Sequence, residues 1–326
     1  MTAGGELRSR KGLNLPGIDL GISAFTPRDR ECLAFALAHG VDAVSQSFVE
    51  GPADIEAVRA AARALGHDPF VIAKIERSRA LDRLRDLVVA ADGIMIARGD
   101  LGVEVPIERI AVIQKEVMRV ANRHAKPVIT ATQMLESMTS HRLPTRAEAT
   151  DVANAILDGT DAVMLSGESA TGLYPVESVE MLAKIAGVVE PTRRRLPVAE
   201  LFGGVDLSEQ VRSEHLVALS VEACFEYDTP AAIFVPTTSG RSARQIALLR
   251  LPVWTVAASA DETTLQRLQF SYGVIPLHVP DEPESWSDYA RVWVRAQGWP
   301  GKRVLLAAGP SPANPTANHR LEVIDL

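Results

Sequence analysis

The sequence predicts an α/β protein: a partial (β/α)₈ barrel of about five strand–helix units, followed by a small doubly wound α/β domain. Short apolar runs alternate with amphipathic helical segments, a pattern typical of parallel sheets. Every apolar run of the first region also ends in polar side chains. The length of 326 residues fits about two domains. We place the first at residues 1–195 and the second at residues 196–326.

Five apolar runs of the first region, each bounded by Gly, Asp or Pro, suit strands that are buried on both faces. They lie at residues 43–48, 70–75, 93–97, 127–132 and 162–166. Helical periodicity fills the intervals between them. Thr26, followed by Pro27, and Thr145 are typical residues for helix starts.

Polar residues at the strand ends favour a barrel over an open sheet. They are Ser47, Lys74 with Glu76, Arg98 with Asp100, Thr132 with Gln133, and Ser166 with Glu168. A barrel collects all strand ends in one mouth, whereas an open sheet gathers ligands mainly at its switch point. Because a closed barrel needs eight strands, we expect the second part of a barrel, without its first three strands.

The pattern of a second, smaller domain follows a Pro- and Arg-containing stretch at residues 190–197. Predicted helices lie at 214–227, 239–249, 262–270 and 286–296. Predicted strands lie at 231–235, 253–257, 274–277, 303–307 and 321–325. This alternation indicates the doubly wound arrangement.

The composition is that of an ordinary globular protein. Hydrophobic residues make up 47% and charged residues 23% of the chain, which argues against disorder. The formal net charge is −7, and the charges are scattered without the basic face of a nucleic-acid-binding protein. No apolar run approaches a membrane span, and the N-terminus shows no signal-peptide pattern. We therefore expect a cytoplasmic protein with no nucleic-acid or membrane partner.

Lys74 and Glu76 are candidates for a metal ligand beside a fixed positive charge. Two residues apart in a strand, they point to the same face. The alternative is a structural ion pair, although burying such a pair contributes little net stability. Asp100 adds a second carboxylate to the mouth, and without His or Cys nearby this favours Mg²⁺ over Zn²⁺. Gly99 would let backbone N–H groups approach an anion closely, with an ordinary turn as the alternative.

Two further motifs leave alternatives open on spacing alone. Thr132 offers a proton-relay hydroxyl, but the preference of strands for β-branched residues is the favoured explanation of this residue. The segment 235–243 combines hydroxyls, N–H groups and Arg241 after a strand, which suits a phosphate. An N-cap at Thr238 or Ser239 explains the same segment equally well.

Taken in order, these motifs resemble those of pyruvate kinases. The resemblance is carried by residues 73–76, 97–102, 131–138, 144–148 and 164–168, and residues 4–16 resemble the segment that re-enters the barrel after the lid domain. The likeness extends from residue 4 to the C-terminus.

The resemblance implies phosphoryl transfer between phosphoenolpyruvate and ADP, giving pyruvate and ATP in glycolysis. It implies that Lys74 stabilises the transferred phosphoryl group and that Glu76 and Asp100 hold Mg²⁺ or Mn²⁺. It also implies that Thr132 acts in protonation of the enolate carbon, and that the backbone of residues 99 and 100 receives the pyruvate carboxylate. The implied substrate-binding residues are Ser47, Arg98, Gly99, Asp100 and Thr132.

In the second domain, the resemblance implies an effector loop for a sugar phosphate or a nucleotide. Its residues are Thr237, Thr238, Ser239, Gly240, Arg241 and Ser242. A K⁺ requirement is implied as well, but the family's K⁺ ligands, lid and much of its nucleotide site lie in segments without a counterpart here. We therefore expect impaired activity of this chain alone, and a homo-oligomer or a partner that supplies the missing strands. Glu50 stands where the family usually has a basic residue.

Two alternative functions remain open. A magnesium-dependent pyruvate-enolate lyase or aldolase would use Glu76, Asp100 and Arg98 without a nucleotide, and ADP dependence would distinguish it from a kinase. A non-catalytic remnant would only bind an effector, and the absence of Mg²⁺ affinity at Glu76 and Asp100 would identify it.

Overall fold

Two units, each built on a five-stranded sheet, make up the computed structural model, which describes residues 21–193, 213–225, 227–311 and 315–326. The first sheet is parallel throughout, with its strands side by side in chain order. Its strands are β1 (Ala43–Gln46), β2 (Phe70–Ile75), β3 (Gly93–Ala97), β4 (Val128–Ala131) and β5 (Ala162–Met164). The predicted fold class, a partial barrel followed by an α/β domain, is confirmed.

Helices connect the strands of the first unit and cover its sheet. They are α1 (Pro27–Ala38), α2 (Pro52–Ala64), α3 (Ser78–Asp82), α4 (Leu84–Ala90), α5 (Arg98–Glu104), α6 (Ile110–Arg123), α7 (Arg146–Asp158), α8 (Gly167–Ala170) and α9 (Pro175–Val189). The predicted caps are present, because the Thr26 and Thr145 side chains accept hydrogen bonds from the third residues of α1 and α7. The main core lies between the sheet and helices α1, α2, α4 and α6.

Three strands of the first sheet end earlier than the sequence predicts. The predicted strands continue to Phe48 after β1 and to Thr132 after β4. Both residues have positive φ angles, of 55° and 67°. Such angles lie in the left-handed region, which cannot continue a strand. After β5, Ser166 has a ψ of −104°, which also lies outside the extended region. The chain therefore turns at these strand ends and brings polar residues to the mouth.

The second unit is doubly wound, as predicted. Its strands are β6 (Ala232–Pro236), β7 (Trp254–Ser259), β8 (Val274–His278), β9 (Arg303–Ala308) and β10 (Arg320–Asp325), in the order β10-β9-β6-β7-β8 with only β10 antiparallel. Helices α10 (Ser213–Phe225), α11 (Arg241–Ala247), α12 (Glu262–Leu268) and α13 (Trp286–Gln297) accompany them. Separate apolar clusters involve α10 and α11 on one hand and α13 on the other. The predicted boundary at residues 195 and 196 and the motif at residues 4–16 lie outside the described residues.

The two units meet at a buried carboxylate, Asp161, just before β5. Its Oδ1 accepts hydrogen bonds from Arg250 Nη1 at 2.7 Å and from the Tyr272 N–H at 3.0 Å. Its Oδ2 accepts the Val128 N–H at 2.9 Å. Arg250 also donates to the Gly159 carbonyl at 2.8 Å. This group, the Asp161 junction, lies at the amino ends of β4 and β5.

Across the described residues, no helix is both long enough and apolar enough to cross a membrane.

Candidate active site

The candidate site lies at the carboxyl ends of β1 to β4, which the parallel register brings to one edge of the sheet. Lys74 and Glu76 face this edge together, as the strand alternation predicts: Lys74 Nζ lies 2.5 Å from Glu76 Oε1. Lys74 also donates to Ser47 Oγ at 2.8 Å. Ser47, Lys74 and Glu76 therefore form one connected group across the ends of β1 and β2.

Glu76 is held in place from two sides. Its side chain is only 1% exposed, and its Oε2 accepts the backbone N–H of Phe48 at 2.8 Å. The left-handed conformation of Phe48 turns this N–H group toward the carboxylate. Arg77 lies over the Phe48 ring at 5.5 Å from its centroid, and its guanidinium pairs with Glu50 at 2.9 Å. The acidic Glu50 thus has basic partners within this chain.

Strained backbone follows β4 as well. Thr132 and Gln133 have φ angles of 67° and 53°, which non-glycine residues adopt at a cost of about 1–3 kcal/mol each. Thr132 Oγ1 accepts the Gly99 N–H at 2.7 Å and donates to the Ala131 carbonyl at 2.7 Å. Strain of this kind clusters at functional sites, where surrounding contacts maintain it. It favours a functional role for Thr132 over the β-branched strand explanation.

Arg98 supports the Thr132 turn from behind. Its guanidinium lies 2.6 Å from Asp151 of α7 and donates to the Thr132 carbonyl at 2.8 Å. The side chain is 9% exposed, and further contacts reach Gln114 and the Ala131 carbonyl. The structure therefore directs this predicted substrate-binding group toward protein acceptors.

Gly99 and Asp100 are both exposed and lie in the first turn of α5, beside the Thr132 hydroxyl. The Gly99 N–H is already bonded to Thr132, so it is engaged within the protein. Within the described residues, the Asp100 carboxylate has no hydrogen bond or ion pair. Of the two predicted metal-binding carboxylates, Asp100 is the accessible one and Glu76 the buried one.

The donor set suits a hard cation that keeps part of its shell for other ligands. Two carboxylates, Glu76 and Asp100, follow the neighbouring strands β2 and β3. The described parts of the chain contain no group of three or more His, Cys, Asp or Glu side chains that could hold a metal by themselves. Zinc prefers nitrogen and sulfur ligands, whereas Mg²⁺ uses one or two carboxylates together with water and substrate oxygens. Glu76 and Asp100 therefore fit Mg²⁺ in ligand type and number.

Two supporting residues were not identified from the sequence. Asp151 neutralises Arg98 across a separation of 53 residues, and no local pattern signals this pairing. The Phe48 backbone acts through its conformation, which a strand-like pattern conceals. Glu168 was identified only as a strand-end residue. It is buried and accepts the N–H groups of Leu135 and Ser166, so it fixes the loops after β4 and β5.

The predicted effector loop lies at the carboxyl end of β6. The Gly240 N–H donates to Thr237 Oγ1 at 2.9 Å, and the φ angle of Gly240 is 72°. This left-handed residue explains why α11 begins at Arg241 and not at Ser239. A cleft of about 560 Å³ borders Thr237 and Thr238, with Arg320 on its far strand. The remaining four loop residues are not part of the cleft lining.

The sheet and its polar mouth place the chain in the class of (β/α)-barrel proteins whose functional groups lie at the strand ends. The pyruvate kinase barrel-domain family matches residues 1–179, and the pyruvate kinase alpha/beta-domain family matches residues 214–318. The chain belongs to the pyruvate kinase family.

Curated relatives agree with this assignment. A pyruvate kinase of Thermococcus litoralis is 50% identical over 275 residues, covering 84% of this chain and 58% of the relative. Pyruvate kinase 2 of Synechocystis sp. is 43% identical over 282 residues, covering 86% of this chain and 46% of the relative. Pyruvate kinase PKLR of Homo sapiens is 42% identical over 287 residues, or 87% and 50% of the two chains. This chain spans about half the length of these relatives.

Proposed function

We propose that this chain carries catalytic groups for phosphoryl transfer between phosphoenolpyruvate and ADP, in the cytoplasm. The observation that supports this most directly is the connected group of Ser47, Lys74 and Glu76 at the barrel mouth. Phosphoryl transfer needs positioning and charge neutralisation more than covalent chemistry. A partly accessible ammonium group, held from two sides next to a carboxylate, meets that need.

Each residue of the mouth would have a separate role in this reaction. Lys74 presents a fixed positive charge to the transferred phosphoryl group. Glu76 and Asp100 would hold Mg²⁺, which when bound would neutralise negative charge on the substrate oxygens. The hydroxyl proton of Thr132 is donated to the Ala131 carbonyl. Rotation about the Cβ–Oγ1 bond would redirect this proton toward a substrate carbon above the strand end.

The proposal extends to the second unit and to the surroundings of the first. The loop from Thr237 to Ser242 would receive the phosphate of a sugar-phosphate or nucleotide effector, with the adjoining cleft for the rest of the molecule. The edge strands β1 and β5 of the described sheet would be covered by a second copy or by a partner with further strands. The K⁺ that the family resemblance implies has no assigned ligands in this chain.

Metal binding tests the assignment of Glu76 and Asp100. Asp100→Asn should weaken Mn²⁺ binding, measured by calorimetry, at least tenfold, because it removes one of two charged ligands. Within the described residues the exposed Asp100 carboxylate makes no hydrogen bond or ion pair, so this variant should leave the fold unchanged. Glu76→Gln should weaken binding too, while Glu108→Gln, on an exposed turn, serves as the matched control. Unchanged Mn²⁺ affinity in Asp100→Asn would contradict the site.

Turnover tests the proposed reaction and the effect of an open mouth. The 326-residue chain assayed alone should transfer phosphoryl groups far below the usual kinase range of about 1–100 s⁻¹. A cleft of about 620 Å³ runs along β1 beside Ser47, so water reaches this side of the mouth. The measurement is a coupled lactate assay with phosphoenolpyruvate, ADP, Mg²⁺ and K⁺. Turnover within the usual range would contradict the expectation that this chain alone has impaired activity.

Residual turnover that requires ADP and disappears in Lys74→Met would support the kinase reaction. Turnover of phosphoenolpyruvate or a pyruvate adduct without ADP would favour the lyase. No structural observation favours that alternative, because Arg98, which it would use, is committed to Asp151 and the Thr132 turn.

A further inference from the structure

A third cleft, of about 620 Å³, lies where the two units meet. It borders Asp161 before β5, whereas the candidate active site lies after the strands, so the two sites occupy opposite ends of the first sheet. Neither the phosphoryl-transfer proposal nor the effector loop uses this cleft. Its polar and aromatic lining consists of Glu190, Arg193, Arg250, Trp254, Ser271 and Tyr272, besides Asp161. A volume of this size is typical of small-molecule sites.

Two buried polar atoms of the lining have no hydrogen-bond partner within residues 21–193, 213–225, 227–311 and 315–326. Ser271 is 8% exposed, and its Oγ makes no hydrogen bond. Arg193 Nη1 is likewise buried without an acceptor. Buried donors are almost always hydrogen-bonded in native proteins, since leaving them unpaired is costly. These two groups come from different units and both border the cleft.

Of the two arginines that line the cleft, Arg193 is the one with a guanidinium nitrogen, Nη1, that has no partner among the described residues, although its Nη2 donates to the Arg250 carbonyl at 3.4 Å. Arg250 is committed to Asp161 and to the Gly159 carbonyl. The guanidinium groups of Arg193 and Arg250 lie 4.6 Å and 5.0 Å from the Tyr272 ring centroid. Burial lowers the pKa of Arg193, and the nearby Tyr272 hydroxyl and Glu190 carboxylate oppose this shift without cancelling it. Burial also raises the pKa of the Tyr272 hydroxyl. Arg193 acts to lower this pKa, and Glu190 acts to raise it.

We propose that this cleft binds a small organic molecule through one acidic oxyanion group, a carboxylate or a phosphate. The anion would accept hydrogen bonds from Arg193 Nη1 and from the Ser271 hydroxyl, the two donors of the cleft lining that have no partner among the described residues. The apolar part of the ligand would lie against Trp254, which is 47% exposed, and against Leu251 and Pro252. Because the two donors belong to different units, the ligand would also bind the units together.

Binding to the full chain tests the proposal without any activity measurement. Inorganic phosphate and phenylacetate, titrated separately by calorimetry, are the probes for the two anion types. Arg193→Gln should weaken binding of the preferred probe at least tenfold, since a charged hydrogen bond is lost. Ser271→Ala should weaken it several-fold. This substitution removes only an unpartnered oxygen, so its thermal midpoint should not fall, which separates lost binding from lost folding.

Two matched variants control for binding elsewhere. Arg63→Gln, on the exposed face of α2, should bind both probes as the unchanged chain does. Arg241→Gln reports phosphate binding at the effector loop and should leave binding at the cleft intact. The proposal is overturned if neither probe gives saturable heat at millimolar concentration. It is also overturned if binding persists in both Arg193→Gln and Ser271→Ala, or if Arg241→Gln alone abolishes it.

Discussion

Asp161→Asn should destabilise the folded chain by about 3–5 kcal/mol, the usual effect of removing one partner from a buried ion pair. The Asp161 side chain is 5% exposed and that of Arg250 is 9% exposed. Water therefore cannot solvate the Arg250 guanidinium once its carboxylate partner is lost. The carboxylate accepts three hydrogen bonds, from Arg250 and from the N–H groups of Tyr272 and Val128. Asparagine keeps one acceptor oxygen and would turn an NH₂ group toward one of these donors.

Equilibrium unfolding of the full chain in urea, followed by circular dichroism and tryptophan fluorescence, measures this loss. Glu31→Gln breaks the exposed pair with Arg28 and should change the free energy of unfolding by less than about 0.5 kcal/mol. The double variant Asp161→Asn with Arg250→Met should cost less than the sum of its single changes, because no unpaired charge stays buried. If Asp161→Asn costs no more than Glu31→Gln, the Asp161 junction does not stabilise the protein as argued.

Two other predictions concern acid stability and the independence of the second unit. Burial alone would raise the pKa of Glu148, but hydrogen bonds from Ser137 and Thr145 hold it below its ordinary value of 4.5. The stability that results is present above pH 4.5 and is lost as the pH falls through the lower folded-state pKa. Glu148→Gln should therefore reduce the loss of unfolding free energy that a series of urea titrations records between about pH 7 and pH 3. A polypeptide of residues 208–326 should unfold cooperatively, because its sheet is paired within itself. A featureless thermal melt of that polypeptide would argue against the predicted boundary at residues 195 and 196.

Sequence patterns located best the elements whose stability is local or whose burial is continuous. The predicted limits of β2 and β3 agree with the structure to the residue, and nearly all of their residues are buried. For β1 and β4 the apolar pattern extends past the strand ends, because Phe48 and Thr132 are apolar or β-branched yet adopt positive φ angles. Arg98 contacts the Thr132 carbonyl from another strand end, and such tertiary support leaves no periodic signal.

In the candidate site, too, local sequence patterns predicted some features, whereas tertiary contacts could not be predicted. Alternation along β2 correctly predicted that Lys74 and Glu76 face the same way, and the 2.5 Å contact confirms it. The commitment of Arg98 to Asp151 could not be predicted, because the pairing joins a strand end to a helix 53 residues later. Its role as a substrate-binding residue stays a prediction, as do those of Ser47 and Gly99.

Strand β4 has a length that cannot easily change. It spans four residues, Val128–Ala131, or about 13 Å at ~3.3 Å per residue. Its first N–H is held by the Asp161 carboxylate, and the carbonyl of its last residue accepts the Thr132 hydroxyl. Inserting or deleting one residue would turn Thr132 to the opposite face of the sheet or pull Val128 off Asp161, because side chains alternate along a strand. The residue count of β4 is therefore fixed by the groups attached at both of its ends, a constraint that an exposed surface loop does not have.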